Sequence, residues 1–95
     1  MREPAVYILA SRRNGTLYTG VTSDLAARLY QHQTGTGSKF AKRHGATRLV
    51  WFDDYELVVD AIAREKAIKS WPRQWKINLI EERNPDWRDI AWQLM

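Results

Sequence analysis

The 95 residues include no cysteine, so neither a disulfide framework nor a thiolate metal site is open to this chain. Long apolar runs are missing as well. None approaches the roughly 18 residues of a membrane span, and the N-terminus lacks a charged segment followed by an apolar one. Neither a membrane anchor nor a signal peptide is expected, and a cytoplasmic setting is the default. Repeats, linkers and low-complexity segments are also absent, so residues 1–95 read as one domain. Five tryptophans supply apolar area that a chain this short needs. The net charge of +4 is unevenly placed. Residues 1–51 hold eight Lys/Arg against Glu3 and Asp24, whereas residues 52–95 hold seven against nine acids. A basic half suggests a polyanionic partner, with nucleic acid the commonest.

The chain is organised around Ala5 to Gly20, AVYILASRRNGTLYTG. Asn14-Gly15 between two β-favouring runs predicts a hairpin with a type I′ turn. That register pairs Tyr7 with Thr22, Leu9 with Gly20 and Ser11 with Tyr18; a four-residue loop would keep the same parity. Either way Tyr7, Leu9, Tyr18 and Gly20 share one face. That face is either core or a wall of a site, because tyrosines favour strands in any case.

Strands are expected at about Val6–Ser11, Thr16–Val21 and Thr47–Tyr55. Thr22-Ser23-Asp24 offers N-cap chemistry for a helix to about Gln33, ended by Gly35 and Gly37. The basic segment Ser38–Gly45 reads as a loop or helical turn. Helical patterns follow over Glu56–Ser70, with Pro72 as a breaker, and over Arg73–Arg83. Asn84-Pro85 precedes a short docking helix from Trp87 to Leu94. The fold class is therefore α+β: a small three-stranded antiparallel sheet flanked by helices, in the order β-β-α-β-α-α.

Glu65 stands out. It falls on the stripe with Ala61, Ile62 and Ile68 that should be buried, where an isolated charge costs many kcal/mol. It reads either as half of a structural salt bridge, to Arg28 or Lys69, or as a metal ligand. Arg28 and His32, four apart on a helix, are either a solvated face or a phosphate-binding fork beside a proton acceptor. From Arg64 to Lys76, five cations interleave with Trp71 and Trp75. Such a mixture suits a nucleic-acid strand, but burial of both indoles against the sheet is the expectation.

Tyr7, Tyr18-Thr19-Gly20, Arg28, His32 and Glu65, in this order and spacing, resemble the GIY-YIG endonuclease family. The similarity is strongest to its short stand-alone bacterial members, related to the nuclease domain of the excision-repair incision subunit. It runs through VYIL, YTGVTSDLAARLYQH, LVW, AIAREKAIKSW, WKINLI and NPDW, nearly end to end. Two departures stand out. Only the tyrosine of the first triplet is kept, and Val21 stands where some members place a lysine. Order places the family's late asparagine near Lys76, with Asn78 and Asn84 as neighbours.

The resemblance implies hydrolysis of a DNA phosphodiester with one divalent ion, Mg²⁺ or Mn²⁺, held by Glu65. It implies that Tyr7 helps deprotonate the attacking water, that Tyr18 and His32 position or share the proton, and that Arg28 meets the phosphate. Gly20, Lys39, Lys42, Arg43, Lys69 and Lys76 are the candidate DNA contacts. Branched, nicked or single-stranded DNA is the expected partner, with targeting by DNA structure or by a protein partner in repair or processing, and a monomer or weak homodimer as the working form. The alternative is a nucleic-acid-binding module of the same fold that cuts little or not at all.

Overall fold

The computed structural model describes residues 3–35 and 39–94. Its centre is β1 (Ala5–Ala10), buried at every residue. It lies between β2 (Leu17–Thr22) and β3 (Arg48–Asp54) in an antiparallel sheet of order β2-β1-β3. A strand buried on both faces contributes to two cores, divided by its period of two. Val6, Ile8 and Ala10 join Trp51, Ala61, Ile68, Ile80 and Trp87. Ala5, Tyr7 and Leu9 join Leu25, Leu29, Ala41, Ala46 and Leu49. The first core is closed by α3 (Val58–Ser70) and α4 (Arg73–Arg83), the second by α1 (Leu25–Thr34) and α2 (Lys39–His44). The α+β class and the helix-flanked three-stranded sheet are as expected, and the basic segment supplies α2. Gly37 and Ser38 lie outside the described residues.

The hairpin register differs from the expected one by two residues. Tyr7 faces Gly20 and Leu9 faces Tyr18. The chain turns over Arg12–Gly15: Gly15 N–H donates to the Arg12 carbonyl at 2.9 Å, and Ser11 N–H to Thr16 at 3.1 Å. Asn14 takes a positive φ of 57° but Gly15 does not, so the two-residue type I′ loop does not form. Arg73 fixes the longer loop from outside, donating to the Asn14 and Gly15 carbonyls at 2.8 and 2.6 Å. A shift of two keeps parity, so Tyr7, Leu9, Tyr18 and Gly20 do share a face.

β3 carries a bulge, since Ile8 pairs with Trp51 but Leu9 with Leu49. The extra residue, Val50, lets Val50 and Trp51 enter the same core although they are consecutive. Buried Asn84 locks this region. Its amide donates to the Val50 carbonyl at 3.1 Å and the Arg88 carbonyl at 2.9 Å, and its oxygen accepts from Arg88 N–H at 3.0 Å.

Three expectations about packing are corrected. The buried stripe of α3 is Ala61, Glu65 and Ile68, and Ile62 lies off it with its side chain exposed. Trp75 is 56 % exposed and only Trp71 packs against the core. The physical reason is the residue before Pro72: Trp71 is extended (φ −70°, ψ 150°), so α3 and α4 are separate helices and the two indoles do not share one apolar stripe. The segment from Trp87 to Ile90 is irregular rather than helical, the Ile90 N–H donating to the Leu49 carbonyl at 2.8 Å, and only Ala91–Leu94 form a 3₁₀ turn.

Candidate active site

Gly20 is where the site begins. A Cβ built on it would meet the Tyr7 Cζ and hydroxyl oxygen at 2.5 Å. The Tyr7 phenol therefore crosses bare backbone on β2 at a distance that only glycine permits. The space beside Gly20 that would admit DNA backbone is filled by this ring. Tyr7 is 1 % exposed, and its hydroxyl shares a hydrogen bond with His32 Nε2 at 3.1 Å.

His32 comes from α1, whose start is set by Asp24 accepting from Ala27 N–H and whose end is set by Gly35 in the left-handed region (φ 82°). Leu25, Leu29 and His32 form its buried stripe, so the imidazole is carried into the tyrosine face by ordinary helix amphipathicity. Tyr18 completes a three-ring cluster, with centroids 6.2 Å from Tyr7 and 5.4 Å from His32. Phe40 of α2 stacks on Tyr18 at 6.2 Å, with ring planes 29° apart, and contacts His44 at 4.5 Å. Phe40 thus brings α2, and the exposed Lys39, Lys42 and Arg43, up to the rim of the cluster. The contact was hinted at in sequence only by one aromatic among basic residues.

Electrostatics ties the remaining candidates to this cluster. Burial pushes the Tyr7 phenol well above the usual tyrosine range; Tyr18 adds to this, the Arg28 guanidinium opposes it, and the Glu65 carboxylate adds a smaller push. Burial, and then the Arg28 charge, lower His32 below its usual value and hold it neutral. Its Nδ1 is buried with no partner among the described residues. No second hydrogen bond therefore fixes the tautomer, and Nε2 is able to accept or donate toward Tyr7.

Glu65 resolves in favour of Lys69 as its ion-pair partner, at 2.7 Å. Lys76 Nζ reaches the Lys69 carbonyl at 3.5 Å, near the end of α3. Among the described residues no group of three or more His, Asp or Glu could hold a metal. A lone, mostly buried carboxylate fits an oxygen-ligand ion that keeps its waters and takes further oxygens from a phosphate, and does not fit zinc. Val21 packs in the α3/α4 core, on the sheet face opposite Tyr7 and Tyr18. Neither neighbouring asparagine belongs to the cluster: Asn84 is consumed by β3 and Arg88, and Asn78 accepts from Gln74 on the outer surface of α4.

With this geometry in view, the similarities to other proteins are specific. The model of the GIY-YIG catalytic domain matches residues 3–78, which include Tyr7, Tyr18, Arg28, His32 and Glu65. UPF0213 proteins of Staphylococcus aureus, among them those of strains Mu3 and N315, are 41 % identical over 78 residues, covering 82 % of this chain and 94 % of theirs. The solution NMR structure of the UPF0213 protein BH0048 from Bacillus halodurans superposes with a TM-score of 0.58 at 29 % identity, covering 92 % of each chain. The tyrosine hairpin, the helix bearing Arg28 and His32, and the helix bearing Glu65 all fall inside the matched region, and the chain belongs to the GIY-YIG nuclease family.

Proposed function

We propose that this protein is a metal-dependent DNA endonuclease acting in DNA repair or processing. One observation carries the reading: the buried Tyr7–His32 hydrogen bond, flanked by the Tyr18 ring. Arg28 offers a planar fork for a phosphate oxygen. Tyr7 cannot act as a free phenolate near neutral pH, because burial opposes its ionisation. It can relay instead, taking a proton from the attacking water while passing its own to His32 Nε2. His32 is neutral and able to accept. A phosphate bound at Arg28 also cancels the charge that lowers His32, so its basicity rises when substrate is present. Glu65 would hold one Mg²⁺ or Mn²⁺, which when bound supplies charge stabilisation for the leaving 3′ oxygen. Lys39, Lys42 and Arg43 on α2 would follow the DNA backbone past the site, in a cytoplasmic setting. Choice of target would come from DNA structure or a protein partner.

The Lys69–Glu65 pair favours a second reading, a nucleic-acid-binding module in which the ammonium keeps the carboxylate from a metal. One experiment separates the two. Branched, single-stranded and duplex DNA are incubated with the protein in Mg²⁺ or Mn²⁺, beside Glu65→Ala and Tyr7→Phe. The nuclease reading expects cleavage by the native chain, lost in Glu65→Ala and reduced at least about 100-fold in Tyr7→Phe. Binding without metal-dependent cleavage on every substrate supports the module.

A further inference from the structure

Trp75 is a large indole left on the surface of α4, 56 % exposed, beside half-buried Trp71. The two rings meet edge to face at 6.0 Å, and the Arg64 guanidinium lies over Trp71 at 5.1 Å. A shallow depression of about 370 Å³ is lined here by Trp71, Trp75, Asn78, Leu79 and Glu82. We propose that Trp75, braced edge to face by Trp71, is a stacking platform for an unpaired base, and that the strand carrying that base runs along α3 and α4 toward Glu65. The proposal rests on the nuclease reading only in taking the polymer to be DNA.

Charge commits the surface to a polyanion. Residues 64–76 carry five cations against one acid, Glu65, which is already paired with Lys69. Lys76, next to Trp75 in the chain, donates to the Lys69 carbonyl, and the Lys69 ammonium pairs with Glu65, so cations lie between α4 and the Glu65 end of the proposed path. Arg73 docks on the hairpin loop that holds exposed Arg12 and Arg13, which extends the cationic surface further. Glu82, at the other side of the depression, repels phosphates and so turns the backbone toward α3. A base-paired duplex offers cations its phosphates but keeps its base faces stacked; an unpaired base can lie on the indole as well. The exposed apolar residues Leu57, Val58 and Val59 at the start of α3 lack such cations and carry no comparable argument.

The test is fluorescence anisotropy of a labelled 12-nucleotide oligothymidine and of a 12-base-pair duplex, in EDTA so that no cleavage occurs. Trp75→Ala should weaken oligothymidine binding roughly 5- to 150-fold, the range that loss of one stacked base implies. Trp75→Phe should recover most of it, duplex binding should change less than about twofold, and an abasic 12-mer should bind both proteins alike. Circular dichroism of each variant confirms an intact fold. Equal oligothymidine binding by Trp75→Ala and native protein overturns the proposal, as does an equal loss on duplex. So does a native dimer, seen by sedimentation, that Trp75→Ala dissociates. A parallel cleavage assay in Mg²⁺ keeps the readings apart: base-dependent binding without cleavage retains the platform and removes the nuclease, and cleavage with unaltered Trp75→Ala binding does the reverse.

Discussion

Gly20→Ala tests the packing on which the site depends. The added Cβ would lie 2.5 Å from the Tyr7 ring and hydroxyl, while ordinary contact begins at 3.4 Å, so the phenol has to move by close to 1 Å. It has nowhere easy to go, being 1 % exposed and backed by Tyr18 and His32. Overpacking of this kind costs about 1–3 kcal/mol. Replacing a strand glycine gives back about 0.5–1 kcal/mol, and Gly20 has no positive φ to add strain. The net cost is about 0–2.5 kcal/mol, centred a little above 1 kcal/mol, where the Tm falls by roughly 4–8 °C. Function should suffer more than stability, because a misplacement of about 1 Å costs on the order of 100-fold in rate. In a Tyr7→Leu background, which removes the atoms that collide, Gly20→Ala should cost less than about 0.5 kcal/mol. The assay is a thermal melt of the four proteins of this cycle, with cleavage rates for the two that keep Tyr7. A Tm within about 2 °C of native together with unchanged cleavage, or equal costs in both backgrounds, would refute the reasoning.

Three further outcomes follow from the same geometry. Because His32 is depressed in the folded state, the unfolded chain binds more protons below the ordinary value of 6.5, so stability should fall as pH drops through that window. His32→Gln should flatten this dependence in melts recorded against pH, and the acid limb of native kcat/KM should lie below 6.5. Asn84→Ala leaves the Val50 and Arg88 groups without their partner, for a loss of about 1–3 kcal/mol by urea unfolding. Cleavage measured well below its melting point should stay native, since the carboxamide serves the β3 bulge and not the tyrosine cluster.

The residues of the hairpin show what the sequence could and could not say. Alternation alone placed Tyr7, Tyr18 and Gly20 on one face, since parity survives a register shift of two. The register itself was not legible, because it is set by Arg73, 58 residues away, gripping the Gly15 carbonyl. Glu65 was visible as a charge on an apolar stripe, and its observed partner Lys69 is the neighbour four residues on along α3; spacing alone did not rank it against Arg28 on α1. Trp75 was misjudged because a large indole was expected to be buried, whereas α4, which starts afresh after Pro72, turns Ile80 inward and leaves Trp75 outside. Phe40 is the residue whose place in the site no spacing rule would reach. Its stacking on Tyr18 requires the packing of α2 against the hairpin.

In the proposed function Glu65 and Tyr7 belong to one hydrolytic site. Its most direct test is the rate of Mg²⁺-dependent cleavage by Glu65→Gln, which keeps the shape of the side chain and removes its charge. The expected loss is at least about 100-fold, with oligonucleotide binding in EDTA retained. Cleavage by Glu65→Gln at the native rate would contradict it.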